Sequence, residues 1–226
     1  MSDESNTNDS SDPDAYRRLA GPGQSETKVD GSRFLGRARP VDSEEAAQQF
    51  VEELRSEHYD ARHVCYGLRV GHGAARIDRS NDDGEPPRTG GFPIWQVLSG
   101  EEIEDSLVVV IRYFGGTKLG MGGLKRAYRD AAIAAIDDAG IDLCHPESTL
   151  DITVPYGMYD ELEDVIDRLD EARIQDRQFT SDVQLRLAIW KSAAEDVRMR
   201  LSGLLNVAPA ELDSDATSAE GPSDRD

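Results

Sequence analysis

Five glycines, Gly115, Gly116, Gly120, Gly122 and Gly123, crowd one short stretch, with Lys118 among them and Lys125, Arg126 and Arg129 just beyond. Arg112 precedes them, and from Ser106 to Arg129 the chain carries five bases and no acid. Such a segment suits an anion. Glycines let the backbone approach a ligand closely, and a helix N-terminus offers N–H groups and a positive dipole end. The helix expected after the loop sharpens this reading. Dipole logic favours acids in a first turn and bases in a last one, yet Lys125, Arg126 and Arg129 stand near its start and Asp137 and Asp138 at its end. An anion at the N-terminus removes that conflict; a glycine-rich turn beside a solvated basic face is the plainer alternative. The phosphate-loop pattern ending in Gly-Lys-Ser/Thr is absent, which argues against an ATPase of that type.

Asp82, Asp83 and Glu85 form a second constellation. Three carboxylates so close could hold Mg²⁺ through oxygen, or could be an acidic surface turn. Thr89, Gly90 and Gly91 add a flexible segment that could pack against the first glycine loop. No catalytic triad or dyad can be assembled. His63 reads as a hydrogen-bonded core histidine and Trp190 as core. Tyr113 and Phe114 also fit a core, although either could stack a base at the end of its strand. Cys65 and Cys144 have no framework spacing and read as buried thiols of a reducing compartment. The four histidines make no zinc spacing with them.

These residues need elements to hold them. Arg33 to Pro40 reads as a first strand. Asp42 with Glu45 reads as a helix start, followed by Ala46, Ala47, Phe50, Val51 and Leu54 on one face. His63 to Val70 is a second strand, and Asp78 to Gly91 an irregular loop. Pro93 is expected to open a short helix. Leu107 to Phe114 is a continuous β-branched run, hence a central strand buried on both faces. The helix after the glycine loop turns Leu124, Tyr128, Ala131, Ala132, Ala135 and Ile136 inward and stops at Gly140. Beyond a linker at Cys144 to Ser148, strand, helix, a hairpin across Ser181-Asp182, a further helix and a last strand near Leu205 give the order βαββαβ, the ferredoxin-like pattern.

Composition bounds the rest. Of 226 residues, 45 are acidic and 25 basic, for a net charge of −20. Leu, Ile, Val and Phe are scarce, and residues 1–27 and 211–226 contain only Leu19 and Leu212 of them. Two disordered acidic tails are therefore expected around a folded centre, divided as 28–145 and 146–210. No run approaches the roughly 18 apolar residues of a membrane span, and the acidic N-terminus is not a signal peptide, so a cytoplasmic protein is expected. Arg far outnumbers Lys and Asp exceeds Glu, a style that suits molar salt, where screening is short-ranged. The total excludes a general nucleic-acid coat. Divided, it is −4 over residues 1–27, −4 over 28–140 and −12 over 141–226, and the glycine loop is exempt.

The strings Asp82-Asp83-Gly84-Glu85-Pro86, Thr89, Gly91 and Pro93, then Val109 to Gly116, Leu119-Gly120, Gly122-Gly123-Leu124 and Arg126-Ala127-Tyr128, resemble the signature of the IMPACT/YigZ family. Ser32-Arg33-Phe34 and Asp60 to Tyr66 resemble it as well. The resemblance covers roughly Lys28 to Gly140. It implies an α+β protein, with a ribosomal-protein-like α/β domain similar to domain IV of elongation factor G, then a ferredoxin-like domain. It also implies translational regulation, the role of the eukaryotic members. Family pattern has Gly where this chain has Arg88 and Ala where it has Gly90; Arg88 would add a sixth cation.

The leading expectation is a non-enzymatic regulator that contacts RNA or ribosomal phosphates through Arg88, Arg112, the glycine loop and the helix start, without a cofactor. One alternative is a Mg²⁺-dependent enzyme acting on a phosphate or nucleotide, with Asp82, Asp83 and Glu85 near the loop. Another is a protein-binding module whose acidic C-terminal domain docks a basic protein.

Overall fold

A computed structural model describes residues 15–207. It divides after Cys144 into two compact units. The expected tails at 1–14 and 211–226 lie outside the described residues. Residues 16–27, however, are not a tail. They form β1 (Tyr16–Leu19) and most of β2 (Gly23–Val29), so the first unit begins at Tyr16 rather than Lys28.

β2 turns into β3 (Ser32–Pro40), followed by α1 (Glu44–Glu57), β4 (His63–Val70), β5 (Ile77–Asn81) and α2 (Gly91–Gly100). Then come β6 (Ile103–Glu104), β7 (Ser106–Tyr113), α3 (Gly120–Ala139) and β8 (Ile141–Cys144). The main sheet is antiparallel in the order β2-β3-β7-β4-β5, with β7 at its centre as its apolar run predicts. Alternation divides that run between two cores. Leu107, Val109 and Ile111 face the α1 side with Val51 and Leu54, and Val108 and Val110 face the α2 and α3 side with Ile94 and Tyr128. β1 ties down a small second sheet between β6 and β8. Ser43, rather than Asp42, caps α1 by accepting from the Ala46 N–H.

α3 lies close on the sheet because both surfaces are small. It presents Ala131 and Ala135, and a Cβ at Gly36 of β3 would lie 2.7 Å from the Ala131 carbonyl oxygen. Gly140, at φ 71°, ends the helix as the sequence predicts.

In the second unit, β9 (Glu147–Val154), α4 (Tyr156–Ile166), β10 (Ala172–Phe179), β11 (Val183–Trp190) and α5 (Ala194–Leu205) form a three-stranded antiparallel sheet, order β10-β11-β9, with two helices. Leu150, Ile152, Leu185 and Leu187 meet Leu162, Ile166, Val197 and Leu201 in its core. Among the described residues the final strand expected near Leu205 is not formed. α5 continues through Leu205 and is capped by Asn206 in the left-handed region.

Candidate functional site

The end of β7 delivers Arg112 to the α3 side of the sheet, paired across the ladder with Phe34 and His63. Its side chain is nearly buried, and Nη1 donates to Glu85 Oε1 at 2.5 Å. The same oxygen accepts the Tyr128 hydroxyl at 2.8 Å, and His63 Nε2 lies 3.8 Å away. Arg112 Nε has no hydrogen-bond partner. A buried ion pair survives only with additional hydrogen bonds around it, and Tyr128 supplies one. Burial, with Cys65 and Glu85 beside it, pushes the Tyr128 hydroxyl far above its ordinary range, so it stays protonated and donates. Burial likewise holds Cys65 as an unreactive thiol.

The three carboxylates expected as a Mg²⁺ set do not converge. Asp82 Oδ1 accepts the N–H groups of Gly90 and Gly91, and Oδ2 that of Arg88. Asp83 Oδ2 accepts the Val64 N–H at 2.7 Å, while Oδ1 pairs with Arg55. Glu85 belongs to Arg112 and Tyr128. Among the described residues no three His, Cys, Asp or Glu side chains are arranged as metal ligands. Thr89 is buried and donates to the Pro86 carbonyl. Arg88 takes φ 60° and lays its guanidinium 3.5 Å from the centre of the Phe92 ring, so it adds no cation to the glycine loop. The expected irregular loop is also shorter, because its first residues pair with β4 as β5.

The glycine loop is built in the opposite way. Gly115 is pinned, with its N–H on Ser32 Oγ and its Cα against the Gly31 backbone. Past it, Gly116 (φ 90°) and Gly120 (φ 65°) adopt conformations that favour glycine, and a Cβ at either, or at Gly122, would meet nothing within 4 Å. α3 starts at Gly120 with no side-chain cap and no acid in its first turn. Lys118, Lys125 and Arg126 are exposed. Among the described residues none of them pairs with a carboxylate. Arg129 is separated from this loop and lines another groove, with Gln96, Gly100 and Asp137.

Between the two loops lies a cleft of about 460 Å³. Arg112, Glu85, Lys118 and Gly120, all candidates from the sequence, line it together with Arg62, His63, Pro86, Leu119, Met121 and Leu124. Phe114, also on its wall, is 50% exposed, and Met121 57%. The predicted Asp82, Arg88, Lys125, Arg126 and Arg129 do not line it. Met121 and Leu119 carry no local signal of a site, being large apolar residues set between the glycines and charges.

Residues 30–136 match the Impact N-terminal domain. The chain is 36% identical over 127 residues to the IMPACT family member YvyE of Bacillus subtilis, an alignment spanning 56% of this chain and 58% of that protein. It is 33% identical over 179 residues to the IMPACT family member YigZ of Escherichia coli, spanning 77% and 86%. Its fold is similar to a crystal structure described as that of a hypothetical protein, with TM-score 0.62 and 28% identity over 85% of this chain and 94% of the other.

Proposed function

The chain belongs to the IMPACT family, and from that premise we propose that it is a non-enzymatic, translation-associated regulator that binds RNA phosphates at the glycine loop. One observation carries this reading. The first turn of α3 is uncapped, opens on Gly120 and Gly122 with empty space beside them, and is flanked by Lys118, Lys125 and Arg126, which have no carboxylate partners among the described residues. In a chain of net charge −20, cations left unpaired at the positive end of a helix dipole are best matched by an external anion. The resemblance to a family with translational regulators supplies the RNA. The acidic turn supports no Mg²⁺ chemistry, because its carboxylates hold backbone N–H groups and buried or half-buried arginines.

The test is RNA affinity against salt. Replacing Lys118, Lys125 and Arg126 together by Ala is expected to weaken binding to ribosomal RNA fragments and to flatten the log–log salt slope by about 2, from roughly 0.7 per single-strand phosphate contact. Arg129→Ala, in the other groove, is expected to leave both unchanged. Equal affinity and slope for the triple variant and the unaltered chain would refute the placement.

A further inference from the structure

We propose that the cleft beside the glycine loop takes one unpaired RNA base; the inference rests on the RNA reading above and names the part of the RNA that this cavity would hold. Phosphate binding accounts for Lys118 and the start of α3 but not for the cavity next to them. Its walls include Pro86, Leu119, Met121 and Leu124, and an anion gains nothing from them. Phe114 and Met121 keep about half of their surface in solvent at the mouth, where an exposed aromatic face is a stacking platform. About 460 Å³ is the size of a small-ligand cavity and accommodates a base with its sugar.

The polar floor fits the same ligand. Arg112 is 5% exposed and its guanidinium carbon lies 5.5 Å from the Phe34 ring centre and 5.6 Å from that of Phe114. One side of the group is bound to Glu85, and Nε has no acceptor. Arg112 lines the cleft, and a base edge carries oxygen and nitrogen acceptors of the kind a guanidinium binds. Apolar faces with polar edges describe a nucleobase; an aliphatic side chain of a protein partner would satisfy the walls and leave the arginine unmatched. A base in a duplex has its faces stacked and hidden, so the occupant must come from a loop, bulge or end. Its own phosphate would then lie toward Lys118 and the N–H groups of the first turn.

The experiment uses the full chain and two short single-stranded RNAs, one carrying 2-aminopurine at a central position and a twin abasic there. Binding is expected to change the 2-aminopurine fluorescence, and the intact RNA to bind at least about fivefold more tightly than the abasic one. Phe114→Ala, at an exposed position that the core does not need, should erase that preference while leaving abasic affinity unchanged; Phe114→Tyr should retain it. Equal binding of the two RNAs, or a preference that survives Phe114→Ala, overturns the base cleft. If equal binding is still weakened by replacing Lys118, Lys125 and Arg126, the phosphate reading stands alone. If neither RNA binds, both readings fall.

Discussion

Two loops close the cleft, and both are rich in glycine, yet they are built to opposite ends. In the loop from Asp82 to Gly91 every carboxylate looks inward. Asp82 gathers three backbone N–H groups, Asp83 a fourth and Arg55, and Glu85 holds Arg112 and Tyr128. Gly90 and Gly91 are crowded by neighbours: a Cβ at Gly90 would lie 2.5 Å from Cys65 Sγ, and one at Gly91 closer still to the Asn81 carbonyl oxygen. Past Gly115, the other loop has open space beside Gly116, Gly120 and Gly122 and, among the described residues, cations without carboxylate partners. Glycine content therefore does not mark a ligand site. A glycine with open space where a side chain would stand, next to charges that the fold does not pair, is the better marker.

The comparison breaks most severely at Glu85. Glu85→Ala leaves Arg112 buried without its counter-charge, and is expected to destabilise the chain by about 3–5 kcal/mol in urea unfolding. Glu85→Gln keeps an acceptor for Tyr128 and should lose less. If Glu85→Ala cost under about 1 kcal/mol, the ion pair would not be what holds the first loop against the sheet. Next in size is Gly90→Ala, which places a methyl group on Cys65 in a packed interior. Overpacking of that kind costs about 1–3 kcal/mol. The double variant with Cys65→Ala removes the colliding sulfur and should recover most of the loss. Failure of that rescue would mean that strain around Gly90 has another source.

How much of this could be read from residue order depends on how far each interaction reaches. The central strand was legible because burial on both faces writes itself as an unbroken run, Leu107 to Ile111. α3 was legible from its alanines and its Gly140 stop. β2 was not, because it alternates exposed Gln24, Glu26 and Lys28 with half-buried small or polar residues at a sheet edge, the composition of a tail. The acidic turn misled for a related reason. Asp82, Asp83 and Glu85 are neighbours in sequence; Asp82 closes its own loop on Arg88, Gly90 and Gly91, while the partners of Asp83 and Glu85, namely Val64, Arg55, Arg112 and Tyr128, are brought in by four other elements. Nothing in local spacing separates a carboxylate that holds a metal from one that holds a distant backbone. Arg112 shows the converse: counted with the loop's cations, it is already half-neutralised inside the fold.

Gly122→Ala reverses the sign of Gly90→Ala and so tests the contrast directly. Gly122 is helical and faces open space, so alanine should stabilise the chain by about 0.5–1 kcal/mol. If the space is kept for RNA backbone, the same methyl group should weaken RNA binding, read by anisotropy at fixed salt. Added stability with unchanged affinity would separate the openness of the loop from its function.

Arg88→Gly probes the departure from family pattern and is expected to have the smallest effect. At φ 60° a residue with a side chain carries about 1–2 kcal/mol of backbone strain, which glycine relieves. Against that, the variant loses a stack on Phe92 worth roughly 0.5–1 kcal/mol at an exposed site. It also gains unfolded-state freedom that costs about 0.4–1 kcal/mol. The terms nearly cancel, so stability should stay within about 0.5 kcal/mol, while Arg88→Gly in a Phe92→Leu background, where no stack is left to lose, should be stabilising. RNA affinity should not move, because the guanidinium lies on Phe92 rather than at the glycine loop. A fall in affinity with unchanged stability would place Arg88 among the RNA contacts and give the inward-looking loop a part in binding.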